Sequence, residues 1–223
     1  MFNSLKSLKD LVFTKVCISC ASPGFWLCLA CQSDWNTSVK KSTFDGKPIY
    51  FKSDYTSKTA SVILAAKEGN NSNAIALLAS AISYSIAFSI SDLNLSGVVT
   101  LVTIPSATSA IRRRGRDHIN TLAKYVQKDL QQKSIDAYYA PILFQKKSIK
   151  DQSQLSSQQR MENTKGKFAV KSCEIPQGAV YLIDDLITTG ASMLEGVRAL
   201  SEAKITITAG VTACAVGRNS LIP

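Results

Sequence analysis

The chain has 223 residues, with 26 Lys and Arg against 16 Asp and Glu, a net charge of +10, six cysteines and one histidine. That length allows one medium domain, or one domain with a small appendage, and a core of ordinary size. The positive balance favours anionic partners such as nucleic acid, polyphosphate ligands or an acidic protein, and four early cysteines with Cys173 and Cys214 standing apart exclude a secreted disulfide framework.

Residues 1–16 read as a short amphipathic lead, with Leu5, Leu8, Val12 and Phe13 at helical spacing. No charged-then-apolar signal with a small-residue cleavage site is present, so a cytoplasmic location is expected. Cys17, Cys20, Cys28 and Cys31 then form two Cys-x-x-Cys knuckles, with Pro23-Gly24 supplying the turn between them. Four thiolates in two such pairs suit a tetrahedral Zn²⁺ ion held for structure; a redox dithiol pair or two disulfides are the alternatives. Phe25, Trp26 and Trp35 are expected to pack around a site that has little core of its own.

Residues 36–58 read as polar and irregular, with a turn at Gly46-Lys47-Pro48 and a short strand at Ile49-Tyr50-Phe51. Helices are expected over 59–68 and 72–90, broken by Gly69-Asn70-Asn71. Asn70 to Ser91 carries no charge and is long enough to span a bilayer, but its serines, asparagines and tyrosine suit a buried helix of a layered domain better. No stable membrane insertion is expected.

Val98 to Ile104 is a nearly continuous β-branched run, the mark of a central strand. Pro105 and Ser106 end it, and Arg112, Arg113, Arg114 and Arg116 follow. A helix is predicted from about Asp117, with Ile119, Leu122, Val126 and Leu130 on one face, and then a strand over Tyr138 to Phe144. His118 reads as a capping or helix-face residue, with a ligand contact as the alternative. Residues 145–167 have the low hydrophobicity of a loop, either a lid or a plain connection. A short strand near Phe168-Ala169-Val170 comes next.

The most informative stretch is Val180 to Ser192: an apolar strand, Asp184-Asp185, then Thr188-Thr189-Gly190 and the start of a helix through Ala191 and Ser192. The threonines are good cap residues, and Gly190 allows close backbone approach. Such a junction aims free N–H groups at an anion, usually a phosphate. The two acids would repel a phosphate, and ribose hydroxyls are their natural partner. The helix carries Met193, Leu194, Val197 and Leu200, and a last strand is expected over Ile205 to about Val216. Strand ends in a doubly wound sheet converge on one crevice, so the arginine loop and the acid-bearing loop are expected to meet there. Arginine forks suit a pyrophosphate; a solvated helix start or a nucleic-acid patch is the other reading of that run.

The Asp184 to Ser192 stretch resembles the phosphoribosyl-pyrophosphate (PRPP) loop of type I phosphoribosyltransferases. The ordered set of motifs resembles, more narrowly, the ComF group of phosphoribosyltransferase-like proteins, whose best-known members take part in natural competence for DNA uptake. That set is the double Cys-x-x-Cys, the Pro105 loop with Arg114-Gly115-Arg116-Asp117-His118, the segment carrying Gln152, Leu155, Ser156, Arg160 and Asn163, and the PRPP loop. Arg116 stands where the family pattern has an aromatic.

The resemblance implies an α/β fold, a type I phosphoribosyltransferase-like, mainly parallel sheet flanked by helices, with a small N-terminal four-cysteine zinc module. The expected division is residues 1–50 for the module and lead helix and 51–223 for the phosphoribosyltransferase-like domain. Asp184 and Asp185 are implied to contact the ribose. Thr188, Thr189, Gly190, Ala191 and Ser192 are implied to cradle the 5′-phosphate, with Pro105, Ser106, Arg112, Arg114 and Arg116 beside the ligand. Mg²⁺ is expected to accompany PRPP. Further expected partners are a related sugar phosphate, single-stranded DNA and competence-machinery proteins. The competing readings are an active transferase with a nucleobase or amine acceptor, and a nucleic-acid-binding zinc protein with a relic PRPP loop.

Overall fold

A computed structural model of the chain describes residues 15–146, 166–171 and 176–217. The expected lead over 1–16 falls outside them apart from its last two residues. The loop expected over 145–167 falls outside apart from Gln145, Lys146, Gly166 and Lys167, and Gln152, Leu155, Ser156, Arg160, Asn163 and Cys173 lie outside as well.

The described residues begin with the segment of the two cysteine knuckles, the short helix α1 (Leu29–Gln32) and a 3-10 turn (Ser33–Trp35). The edge hairpin β1 (Lys40–Phe44) and β2 (Lys47–Asp54) follows, then α2 (Ser57–Lys67), α3 (Ser72–Asp92) and β3 (Val99–Thr103). Next come α4 (Thr108–Arg114), α5 (His118–Gln132), β4 (Ala137–Tyr139), β5 (Leu143–Gln145) and β6 (Phe168–Val170). The last described elements are β7 (Ala179–Ile187), α6 (Ala191–Glu202) and β8 (Ala209–Ala215).

The result is a mixed α/β fold with a six-stranded, mostly parallel sheet in the order β1-β2-β8-β7-β3-β4. Only the edge strand β1 is antiparallel, to β2. β2, β8, β7, β3 and β4 all run the same way. β3 and β8 are buried at every position, as expected of parallel strands covered on both faces. Alternation along β7 sends Tyr181 and Ile183 to one face, with α2, α3 and α5, and Val180 and Leu182 to the other, with α6. Each large aliphatic side chain so enclosed contributes roughly 1.5–3 kcal/mol.

Local signals set the helices. The Thr56 hydroxyl accepts the Thr59 N–H and the Thr59 hydroxyl accepts the Thr56 N–H, a reciprocal cap that starts α2. The Asn71 side chain accepts the Ala74 N–H at 3.0 Å and starts α3. α3 is the one helix among the described residues long and apolar enough to cross a membrane. Its apolar residues Ile75, Leu78, Ile82 and Ile86 are in the core cluster shared with the sheet. The Ser89 and Tyr181 hydroxyls, 2.8 Å apart, pin α3 to β7.

Three expectations need correction. Residues 36–58 are not irregular: they hold β1 and β2, and β2 runs across position 50 to pair with β8. The single strand expected over 138–144 is two, because Pro141 has no N–H to continue a ladder; β5 then pairs antiparallel with β6 outside the main sheet. Phe25 does not pack around the cysteines but is 61% exposed, and Leu27, 1% exposed, fills that place with Trp35.

The cysteine segment is fastened to the body. Cys17, Leu27, Cys31 and Trp35 belong to the same apolar cluster as α2 and α3. The Ser19 hydroxyl donates to the Lys58 carbonyl at 3.0 Å, and the Ser53 hydroxyl donates to the Asp34 carbonyl.

Candidate functional site

The direction in which the chain winds changes between β3 and β7. From β3 it proceeds through α4 and α5 to β4 on one side, and from β7 through α6 to β8 on the other. The gap beyond the carboxyl ends of these two neighbours is therefore the topological switch point, where open α/β sheets take their ligands. Just past the end of β3 the Ile104 N–H donates to the Ile183 carbonyl at 3.0 Å, and β7 runs on to Ile187 beside β8.

Three segments meet at this gap. The end of β7 supplies Asp184 and Asp185. The segment after β3 supplies Ser106, Arg114 and His118. The last turn of α2 supplies Lys67 and Glu68. One Asp185 oxygen lies 3.2 Å from His118 Nε2 and 3.3 Å from Lys67 Nζ. His118 Nδ1 lies 2.8 Å from an Arg114 Nη atom and 3.3 Å from the Ser106 hydroxyl. Arg114 Nε donates to Glu68 at 3.0 Å. The Arg114 side chain is only 6% exposed, which suits a guanidinium with two partners.

The two acids differ in character. Burial opposes ionisation of Asp185, but the hydrogen bond from His118 and the charge of Lys67 outweigh it and hold the carboxyl below the usual carboxylate range. Burial and the adjacent Asp185 carboxylate push Asp184 well above that range. An Asp184 oxygen accepts the Asp185 N–H at 2.8 Å. The pair thus divides into an ionised Asp185, turned to internal partners, and a half-buried Asp184 that holds its proton more strongly.

The turn after β7 opens α6 without a side-chain cap. Gly190, buried and left-handed at φ 74°, is its N-cap residue, and no side-chain oxygen caps it. Thr189 reaches only the Ala191 N–H, at 3.5 Å, so the capping expected of Thr188 and Thr189 is at most this one long contact. First-turn N–H groups have no partner within a helix. Those of α6 therefore remain for an anion, with Thr188 and Ser192 exposed beside them.

The arginines separate by role. Arg114 is buried in the network. Arg116 donates to the Ala66 and Lys67 carbonyls at 3.0 and 2.9 Å and so closes the end of α2. Arg112 is exposed, and its side chain has no partner among the described residues. Arg113 is 70% exposed and reaches Glu68 at 3.4 Å. Pro105 is half-buried. Sequence reasoning missed Lys67 and Glu68, which read as an ordinary helix end, and read His118 as a capping or helix-face residue with a ligand contact as the alternative, without its two internal partners. His118 is instead 7% exposed and bonded at both ring nitrogens.

The second cluster is the cysteine set. The four sulfurs lie within 4.8 Å of one another, and those of Cys20 and Cys28 are 3.6 Å apart. A regular ZnS₄ tetrahedron with 2.3 Å bonds has sulfur–sulfur edges of about 3.8 Å, so the set fits one four-coordinate thiophilic ion. Burial raises the Cys17 thiol, but N–H groups of Cys28, Cys20 and Ser19 outweigh it and lower the thiol to about 6. Burial and the neighbouring thiols push Cys31 up to about 12. Cys214 lies in the main core, its thiol raised to about 12 by burial.

No family model matches the chain, and no curated protein matches it. Among solved structures it is similar to adenine phosphoribosyltransferase from Trypanosoma brucei, in complex with AMP, pyrophosphate and ribose-5-phosphate. The likeness covers 70% of this chain and 72% of that one at 12% identity, with a TM-score of 0.36.

Proposed function

We propose that the chain binds PRPP, or a closely related sugar phosphate, in the gap beyond β3 and β7, as a phosphoribosyltransferase-like protein of the ComF type. The observation that carries this reading is the meeting of the acid pair, the uncapped start of α6 and the arginine-bearing segment at the topological switch point. The amides from Thr189 to Ser192 hold the 5′-phosphate, with the Thr188 and Ser192 hydroxyls beside them. Asp184, which keeps part of its side chain open to solvent, takes a ribose hydroxyl, and Asp185 supplies negative charge beneath the sugar. Arg112 and Arg113, exposed next to the gap, meet the pyrophosphate. Mg²⁺ fits there as a hard cation held mainly by ligand oxygens beside carboxylates. The four cysteines hold a structural zinc ion that fastens the N-terminal segment to the core.

A second reading, active pentosyl transfer, is favoured by the carboxylate of Asp185 at the sheet end. The C1–O bond to pyrophosphate breaks as an acceptor nitrogen bonds to C1, and the acceptor proton passes to solvent. Asp184 orients the ribose, and the Asp185 carboxylate beneath it stabilises the positive charge that develops on the sugar. The link to DNA uptake rests on the ordered motif set; the charge of +10 suits single-stranded DNA or an acidic partner in the cytoplasm.

The test is calorimetric titration of PRPP with Mg²⁺ into zinc-replete protein. Micromolar binding that disappears in the Asp184→Asn, Asp185→Asn double variant is expected. Affinity retained in that variant would sink the assignment. A salt-dependent titration with single-stranded DNA tests the partner reading separately.

A further inference from the structure

We propose that His118 is the positioning residue of this site: as the neutral Nε2–H tautomer it joins Asp185 to Arg114 and so holds the acid pair and the arginine segment in one fixed arrangement. This rests on the sugar-phosphate reading above and adds to it a residue that contacts no ligand itself.

The tautomer follows from the partners. A guanidinium only donates hydrogen bonds, so Nδ1, 2.8 Å from Arg114, must be an acceptor. The proton of a neutral ring then sits on Nε2, which faces an Asp185 oxygen at 3.2 Å. The Ser106 hydroxyl, 3.3 Å from Nδ1, is placed as a second donor to it. A proton on Nδ1 would set N–H against guanidinium, and a lone pair on Nε2 would face a carboxylate.

The surroundings extend the chain of contacts. Arg114 is fixed on its other edge by Glu68, and Lys67, the next residue back, returns to Asp185 at 3.3 Å. The loop Asp185–His118–Arg114–Glu68–Lys67 therefore closes on itself across β7, the start of α5, the end of α4 and the end of α2. Its members at the centre are buried: His118 is 7% exposed, and the Asp185 and Arg114 side chains are 5% and 6% exposed. Removing the imidazole leaves a carboxylate and a guanidinium without their shared partner, and both segments lose the contact that sets their separation. Contacts that orient the ligands of a metal are worth about 10- to 100-fold in metal affinity or activity, and a loss of the same order is expected here.

His118 is the only histidine in the chain, which makes the test clean. A long-range ¹H–¹⁵N correlation spectrum of the full-length, zinc-replete protein at neutral pH reports one imidazole. The Nε2–H pattern is expected, with the Nδ1 resonance moving on saturation with PRPP and Mg²⁺. An Nδ1–H tautomer, an imidazolium, or an unmoved resonance in ligand-saturated protein overturns the proposal. The same ligand is titrated calorimetrically into His118→Gln and His118→Leu. Glutamine carries a donor and an acceptor on one planar group and is expected to bind like the unaltered chain. Leucine is expected to bind about 10- to 100-fold more weakly. Equal binding by all three proteins overturns the positioning role alone, whereas no binding by the unaltered chain overturns the ligand reading beneath it.

Discussion

Two adjacent and chemically identical substitutions are expected to change stability in opposite directions. Asp185 receives a hydrogen bond from His118 and an ion pair from Lys67 on one oxygen, within a side chain 5% exposed. Asparagine there weakens the His118 bond and removes the charge that Lys67 faces. A hydrogen bond to a charged group is worth roughly 1.5–3 kcal/mol. Lys67 is 33% exposed, so its ammonium rehydrates and adds roughly 1 kcal/mol at most. Asp185→Asn should therefore destabilise by about 2–3 kcal/mol, or roughly 4–12 °C for a chain of this size. Asp184 is the reverse case: burial and its neighbour disfavour the charged form. Asparagine keeps the acceptor for the Asp185 N–H and can donate to Asp185, so Asp184→Asn should stabilise by about 0.5–2 kcal/mol, toward the lower figure because Asp184 is partly solvated.

The pH dependence separates the two further. The raised folded-state pKa of Asp184 contributes stability that is full below its unfolded value of about 3.9 and lost as pH rises through the folded value. The gain from Asp184→Asn should therefore shrink on acidification. The depressed pKa of Asp185 contributes stability present above the unfolded value and lost as pH falls through the lower folded one. Urea denaturation of the parent and both single variants, at neutral pH and near pH 4, gives all the required values. Equal shifts of one sign in the two variants would refute the opposite displacement of the two carboxyls, Asp185 below and Asp184 above the usual carboxylate range.

Gly178 has φ +69°, and an added Cβ would fall 2.0 Å from the Val98 carbonyl oxygen, a backbone atom that also accepts the Ala179 N–H. Gly178→Ala should cost about 2–4 kcal/mol in urea denaturation, from left-handed strain and overpacking together; a change under 0.5 kcal/mol would contradict that packing. Glu195, 4% exposed, accepts the Phe168 N–H at 2.9 Å and binds Arg198 at 2.7 Å. Glu195→Ala should destabilise by about 2–3 kcal/mol and speed hydrogen exchange at the Phe168 amide far more than at Leu182, and unchanged exchange at Phe168 would count against it. Elemental analysis should find one zinc per chain and none in Cys17→Ser. That loss should lower the thermal midpoint, because Cys17 and Cys31 share the cluster of α2 and α3; full stability of metal-free protein would exclude a structural role.

What the sequence disclosed, and what it did not, follows from where the signal resides. β3, β7 and β8 were legible as apolar runs because parallel strands are buried on both faces, and the cysteine knuckles because their spacing is itself the geometry. β1 was not legible. Lys40–Phe44 is a polar edge strand whose burial alternates, and its lysines read as loop although charged residues suit an edge. The convergence of the β3 and β7 loops was legible from the winding of α/β sheets, and the two strands are hydrogen-bonded neighbours. The network around Asp185 was not. Lys67 and Glu68 carry no local mark beyond a helix end, and a histidine at the first position of α5 has the same sequence context whether it caps a helix or bridges an acid and an arginine. Those partners are chosen by the packing of α2 against the sheet ends.

The measurement that bears most directly on the proposed ligand site is the amide ¹H–¹⁵N spectrum of the zinc-replete protein titrated with PRPP and Mg²⁺. The largest saturable shifts are expected at Thr188, Thr189, Gly190 and Ser192, with a second set at Ser106 and the Arg112–Arg114 segment. Saturable shifts confined to the cysteine segment or to the outer face of α3, with those amides unmoved, would contradict a sugar-phosphate site at the switch point.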